Sequence, residues 1–585
     1  MKTWNLEALY PSFESEEFQQ ALNTIDDMVE QAIAFATKEL TSTDDAHRKL
    51  KDYLTHAEKM RSIVHRSYAY CSLTMSVDTL NEDAAKYMNR LQTTMAKTAL
   101  PSTLFAKWLP QVENLDELIE TDPELKEVEF YLKRIVDGSK YVLTDKEEMI
   151  ISKLQQTGST AWGRLQGELT STLKVDYDGK DITLSEVRNL SSDPSQDVRK
   201  AAYEAEQAAY PKIAQAVAYA MNGVKGEVNI ISEMRGFASP LAQAVYNSRM
   251  EESTLQALIS SMKTYLPHFH KYLKRKAELL GHKNGLPYYD IFAPVGESNR
   301  TFTEEEAMEF IFDNFKTFSP ELEGLARRAW EEEWIDFTPR QGKRGGAFCS
   351  NLHPIKESRI MTNFTGSFSN VITLAHELGH AYHGDRIFKE KVFNSSYTMP
   401  VAETASTFCE TIVKNAALKE ADREEQIFIL EQSLKGSTQV IVDILSRFIF
   451  EQNVFDARKT TPLNVRMLND MMLAAQKEAY GDSLDPDYMA PYAWLNKPHY
   501  YRGGLSFYNF PYAFGLLFAK GIYAEFVKQG APFVDKINLL LQKTGQMTVE
   551  DVASLVGLDL KSQSFWDSSL EVIKQEIDLF LELTA

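Results

Sequence analysis

The sequence predicts a mainly α-helical protein, on three observations. Apolar residues recur at helical spacing along most of the chain, strand signals are few and short, and 585 residues with 44% hydrophobic and 25% charged content are ordinary globular values. They leave no room for a disordered or fibrous reading. A chain of this length can bury a large core.

The first helix is read over Phe18 to Leu40, where Phe18, Leu22, Ile25, Val29, Ala32, Ala36 and Leu40 fall near one face with acids and amides between them. The same spacing predicts helices at Ala84 to Leu100, Lys146 to Leu154, Val198 to Tyr210 and Val440 to Phe455. The clearest strand signal runs from Leu173 to Leu184 and turns at Asp178-Gly179, because both central positions of a tight hairpin want positive φ. A second pair of extended segments is expected at Gly345 to Cys349 and Arg359 to Phe364. No fixed-period repeat, proline-rich linker or low-complexity tract stands out. The hairpin and the loop Ser191-Ser192-Asp193-Pro194 mark the best boundary, near residue 190, and divide the chain into regions 1–190 and 191–585.

Charge and cysteine content exclude several partners. The 83 acidic side chains outnumber 63 basic ones for a net charge of −20, a field that repels phosphate backbones and anionic lipid headgroups. Neither nucleic acid nor a membrane surface is expected as a partner. Cys71, Cys349 and Cys409 are sparse, odd in number and without Cys-x-x-Cys spacing, so they read as reduced thiols of a cytoplasmic protein. The opening Met1 to Glu7 has no apolar stretch behind its single lysine, Lys2, and soon turns acidic at Glu7, so it is not read as a secretory signal. The most apolar window, Phe510 to Phe518, is far shorter than the roughly 20 residues of a membrane span.

The chemistry is announced at His376-Glu377-Leu378-Gly379-His380, preceded by the apolar helical run Val371 to Ala375. Residues four apart stack on one helix face, so His376 and His380 can aim ring nitrogens at one ion. Glu377 lies about a third of a turn away, placed to take a proton from a water without itself ligating. A catalytic zinc needs a third protein ligand. One extended form of the motif would require Gly and His at 383 and 386, where this chain has His383 and Arg386, so that class is excluded. The remaining common solution is a carboxylate from a second helix, and Thr398 to Glu410, with Pro400 in its first turn, has the pattern. Glu403 is the expected third ligand, 23 residues beyond His380. Glu410, two turns further on the same face, reads equally as an acceptor for a ligand histidine and as a solvated helix residue. His383 keeps to the ligand side by spacing but is read as a packed core histidine.

These residues resemble a known family. The runs Thr373 to His383 and Val401 to Phe408 are similar to the thimet-type zinc oligopeptidases, and within them to the bacterial oligoendopeptidase F branch. The likeness extends to Trp4-Asn5-Leu6, Leu9-Tyr10-Pro11, Pro287 to Pro294, His499-Tyr500-Tyr501 and Phe507-Tyr508, and so covers essentially the whole chain. It implies a helical ellipsoid divided by a deep substrate channel, with a zincin-type catalytic core and a small β element. It further implies one zinc ion on the channel floor and access limited to short, unstructured peptides; residues 1–190 are expected to form part of the channel wall. Gly345 to Cys349 resembles the family's edge strand, whose backbone can pair with an extended peptide. Cys349 is read there as an inert small residue.

The segment His499 to Tyr512 makes chemical sense beside that resemblance. Peptide hydrolysis needs hydrogen-bond donors for a developing oxyanion, and this segment concentrates His and Tyr around Gly503-Gly504, a pair that permits movement. His499 and Tyr508 are the expected donors, while Tyr500, Phe507 and Phe510 read as core. Family members often carry a tyrosine where this chain has Phe510, which leaves Tyr508, Tyr512 and Tyr501 all open as the phenolic donor. The reading is a zinc metalloendopeptidase. A zinc exopeptidase and a peptide-binding protein without catalysis are the alternatives, the latter disfavoured because neither Glu377 nor a ligand is missing.

Overall fold

A computed structural model describes residues 2–296 and 300–585, so Met1 of the opening segment lies outside it. Among these residues 26 α-helices carry the chain and five short strands interrupt them, as the helical periodicity predicted. The first expected helix spans Glu16–Glu39, with the Ser15 hydroxyl accepting from the Phe18 amide at its N-terminus. It buries Phe18, Leu22, Ile25, Val29, Ala32 and Ala36, the stripe read from spacing. The helices expected at 146–154 and 198–210 span Asp145–Thr157 and Gln196–Ala209. Two expectations need correction. The helix expected through Leu100 ends at Ala96 and a new one starts at Ala99. The Val440 to Phe455 helix starts with a π-helical turn at Gln439–Asp443 before its α-helical part, Ile444–Arg458. Apolar spacing does not register either break, because both flanking pieces bury the same kind of residue. None of the described helices is long and apolar enough to cross a membrane.

The hairpin forms as read, with strands β1 (Lys174–Tyr177) and β2 (Lys180–Thr183) paired antiparallel. Its turn residues Asp178 and Gly179 have φ of 52° and 72°. Three further strands are β3 (Ile335–Asp336), β4 (Phe348–Leu352) and β5 (Glu357–Met361). They form one sheet in the order β3-β5-β4, with β3 parallel and β4 antiparallel to β5. The extended segment expected at Gly345 to Cys349 therefore begins three residues later. Gly346 has φ of 84° and belongs to the preceding turn.

The chain divides into two compact units, each assembled from separate segments. The first comprises Met1–Lys140, Asn299–Ala416 and Glu525–Gly557, the second Tyr141–Ser298, Ala417–Ala524 and Leu558–Ala585. The boundary expected near residue 190 does not separate them, since that residue lies inside the second unit. A polar loop marks a turn of the chain and carries no information about where packing ends.

In the first unit, Leu9, Tyr10, Phe18, Leu22, Tyr70, Leu73 and Leu91 of the N-terminal segments share a core with Leu352 and Met361 of the sheet. Side chains alternate along β4. Leu352 enters that core and Phe348 meets the Trp4 ring edge-on at 6.2 Å, whereas Asn351 reaches the carbonyl of His380. The N-terminal helices thus hold one face of β4, and the helix of the H-E-x-x-H motif holds the other. The outer edge of β4 has no strand partner among the described residues. In the second unit, Val175, Val187, Tyr210, Val217, Met221, Phe450, Val454, Trp494, Tyr500 and Tyr501 form the core.

Candidate active site

The motif lies on the helix Phe368–Ile387, started by a capping box in which the Ser367 hydroxyl accepts from the Asn370 amide. His376 and His380 are one turn apart on this helix, and their Nε2 atoms are 3.1 Å from each other. The second helix expected over Thr398 to Glu410 is instead two pieces, Met399–Ala402 and Thr404–Glu420, and the break falls on Glu403. Glu403 caps the second piece, its carbonyl accepting from the Thr407 amide. Its Oε2 lies 3.3 Å from His376 Nε2 and 3.4 Å from His380 Nε2.

These spacings suit one small cation. Ligand atoms around a tetrahedral ion with bonds of about 2.0–2.2 Å are about 3.4 Å apart, so the three atoms sit near three corners of one tetrahedron. Among the described residues this trio is the group of His, Cys, Asp or Glu side chains arranged to hold a metal. Burial would raise the proton affinity of Glu403, but His376 and His380 hold its carboxyl well below the usual range. The Ser406 hydroxyl donates to Glu403 Oε2 at 2.7 Å and fixes its rotamer.

The parts meet because of two glycines. A Cβ at Gly379 would lie 2.6 Å from both the Ala405 carbonyl oxygen and the Ser406 Cα, so the chain carrying Glu403 packs backbone to backbone on the motif helix. A Cβ at Gly384 would lie 2.3 Å from Asn351, and that space admits the β4 side chain. Asn351 Nδ2 then donates to the His380 carbonyl at 3.1 Å.

Glu410 resolves to the first of its two readings. Its Oε1 is 2.5 Å from His376 Nδ1 and accepts from that ring nitrogen, so Nε2 is the atom that faces Glu403 and His380. Glu377 is 5% exposed and its Oε2 has no partner. Burial raises its proton affinity against the pull of His376 and His380. His383 is the core residue expected: fully buried, 2.8 Å from the Thr544 hydroxyl, stacked on Tyr397, and lowered by burial to a pKa of about 3. A cavity of about 360 Å³ opens over the cluster, lined by Ala347, Phe348, Cys349 and Asn351 of the β4 segment, the motif residues, Tyr397 and Glu403. Burial and the neighbouring Glu377 push the Cys349 thiol well above its ordinary range, so it stays protonated, consistent with an inert residue. Asn351 and Tyr397 were not among the expected site residues. The period-two alternation from Cys349 points to Asn351, but nothing in the sequence points to Tyr397.

The segment His499 to Tyr512 lies in the second unit. His499 is partly exposed and held neutral, at a pKa of about 3, by burial and by Arg447, Lys497, Lys225 and Arg502. Asn509 Nδ2 donates to its Nε2 at 2.8 Å, which leaves the ring proton on Nδ1. The hydroxyls of Tyr508 and Tyr512 are 2.6 Å apart. Tyr501 is 1% exposed and its hydroxyl donates to the Trp494 carbonyl at 3.1 Å, a core position that removes it from the open set of donors. Tyr500, Phe507 and Phe510 are buried as expected. A Cβ at Gly503 would lie 2.4 Å from the Ser159 hydroxyl, so this glycine serves close packing.

Replacing Gly379 by alanine tests the backbone contact. The added methyl must push Ala405 and Ser406 away, so Gly379→Ala is expected to weaken metal binding at least tenfold in chelator competition and to cost about 1–3 kcal/mol in urea unfolding. Unchanged affinity and stability would show that the contact does not set the ligand spacing.

The chain matches the model of Peptidase family M3 over residues 189–572 and that of Oligopeptidase F over residues 111–174. Oligopeptidase PepF of Bacillus subtilis is 24% identical over 596 residues, covering 99% of this chain and 87% of that protein. The oligoendopeptidase F homolog of Lactococcus lactis subsp. lactis is 24% identical, covering 98% and 96%. The crystal structure of oligoendopeptidase-F from Enterococcus faecium superposes with a TM-score of 0.70 at 19% identity, covering 97% and 99% of the two chains. A Chlamydophila abortus crystal structure superposes with a TM-score of 0.86 at 21% identity, covering 99% and 98%. At these identities the structural likeness is one of fold. The family model spans more than half of the sequence and includes His376, Glu377, His380, Glu403 and Glu410, and the chain belongs to peptidase family M3.

Proposed function

We propose that this protein is a zinc-dependent endopeptidase that cleaves internal bonds of short, unstructured oligopeptides. The observation that carries the reading is the trio His376, His380 and Glu403, spaced 3.1 to 3.4 Å apart beside a buried carboxylate, Glu377, with an unpartnered oxygen. A zinc ion held by that trio would supply Lewis acidity to a scissile carbonyl and lower the pKa of a water.

The rest is done by the chain's own groups. Glu410 accepts a hydrogen bond from His376 Nδ1–H and so favours the tautomer that would present Nε2 to the ion. Glu377 accepts the proton of the attacking water and passes it to the leaving amine nitrogen, a role suited to a buried carboxylate of raised proton affinity. The free edge of β4 offers main-chain hydrogen bonds to an extended peptide, which favours unfolded chain and tolerates varied side chains. His499 through Nδ1, with the Tyr508 and Tyr512 hydroxyl pair, is the proposed donor set for the developing oxyanion. All three cysteines are free, which supports a reducing, cytoplasmic setting.

The test joins metal analysis to product masses from one internally quenched peptide of about ten residues. One zinc per chain and a single internal cut are expected; stepwise release of terminal residues would turn the reading to an exopeptidase.

Glu377→Gln should retain zinc and fold and lose about a thousandfold or more in kcat with peptide binding unchanged, because only a transition-state role is removed. Turnover near wild type would move the base elsewhere.

Tyr508→Phe should lower kcat about a hundredfold, and the Tyr508/Tyr512 double phenylalanine variant should lose less than the product of the two single losses, since the hydroxyls share one hydrogen bond. Tyr501→Phe should leave the rate intact and cost about 1 kcal/mol of stability for its lost buried hydrogen bond. A crippled Tyr501→Phe beside a silent Tyr508→Phe would reverse the assignment.

A further inference from the structure

Tyr397 is not assigned any role by the reading above, yet it lines the same cavity as His376, His380, Glu377 and Glu403. Its ring lies flat on His383, with centroids 4.2 Å apart and planes 12° from parallel. His383 cannot turn away. It is fully buried, its Nε2 is 2.8 Å from the Thr544 hydroxyl, and that hydroxyl itself donates to the Leu541 carbonyl, so the ring must donate to it. The phenol is therefore seated on a fixed platform supplied by the motif helix.

Hydrogen-bond capacity then decides what its hydroxyl can do. Asn351 is the polar side chain beside the phenol and lowers the proton affinity that burial raises. Asn351 Oδ1 accepts from the Ser358 hydroxyl at 2.7 Å and from the Cys349 thiol at 3.6 Å, which uses both of its lone pairs. Asn351 Nδ2 gives one hydrogen to the His380 carbonyl at 3.1 Å, which leaves its second hydrogen for Tyr397. Asn351 therefore has no lone pair left to accept from Tyr397, and the phenol's own O–H remains to be donated. The cavity wall beside it is β4, the strand whose free edge is suited to pairing with peptide main chain.

We propose that Tyr397 is a substrate-contacting residue of this site, donating a hydrogen bond from its hydroxyl to a main-chain carbonyl of the bound peptide. The inference rests on the peptidase reading, and the test separates the two. Tyr397→Phe keeps the ring on His383 and deletes only the donor, so zinc content and thermal midpoint should match the parent. In the Glu377→Gln background, where hydrolysis is blocked, the Kd for a fluorescent ten-residue peptide should rise about tenfold on adding Tyr397→Phe, the scale of one neutral hydrogen bond. In the otherwise wild-type enzyme KM should rise by a similar factor with kcat within about twofold, because ground state and transition state lose the same contact. Equal Kd and KM in the phenylalanine variants, or a loss accompanied by loss of zinc, would overturn the role of Tyr397 while leaving the peptidase reading intact. A wild-type chain that binds zinc and the peptide but cleaves nothing would overturn the peptidase reading, and the Kd comparison would still decide the contact.

Discussion

The tightest constraint in the site is a contact between two stretches of backbone, the motif helix at Gly379 and the chain just beyond Glu403. With 2.6 Å separating the position of a missing Cβ from Ala405 and Ser406, the two segments cannot approach any closer or slide past each other. Glu403 sits at a break between two helices, where its side chain is freed from the regular helical rows, and Ser406 holds its carboxylate. The distances of 3.3 and 3.4 Å to the two histidines follow from this docking. A ligand set built on rigid elements loses little entropy when an ion arrives, which is how a site of three side chains achieves a defined geometry.

Three histidines within eight positions of one helix meet three different fates, each set by what they face. His376 meets Glu410 and donates to it, His380 has its backbone carbonyl clamped by Asn351, and His383 is enclosed by Thr544 and Tyr397. Carboxylates sit beside the first two and burial without an ion pair surrounds the third, so only the first pair suits a cation. The second glycine, Gly384, lets β4 reach the same helix, so the edge strand and the His376, His380 and Glu403 cluster share one support. A shift in β4 would therefore act on the helix turn that carries His380.

In the second unit the aromatic segment separates by burial. Tyr500 and Tyr501 belong to the core with Trp494 and Phe450, whereas His499, Tyr508 and Tyr512 keep partial exposure and polar partners. Burial, with Arg447, Lys497, Lys225 and Arg502 nearby, keeps His499 neutral, so at neutral pH it has one N–H donor and one acceptor. The acceptor is used by Asn509, which decides the direction of the donor.

Local pattern was enough to recover the helical class, the Asp178-Gly179 hairpin, the pairing of His376 with His380 and the candidacy of Glu403, because each depends on spacing within a few turns of chain. The strand start at Gly345 and the continuous second helix were misplaced for the complementary reason. Packing partners distant in sequence decide where compact units part, and positive φ at Gly346 and a break at Glu403 leave the polar and apolar pattern unchanged. The sequence by itself determined which side chains could carry the chemistry, since a metal trio and its base require particular donor atoms at particular helical offsets. Only the tertiary structure decided that Glu410 orients His376, that Tyr501 is spent in the core and that Tyr397 and Asn351 join the site. Each of those depends on which donor and acceptor remain unsatisfied once residues far apart in the chain are packed together.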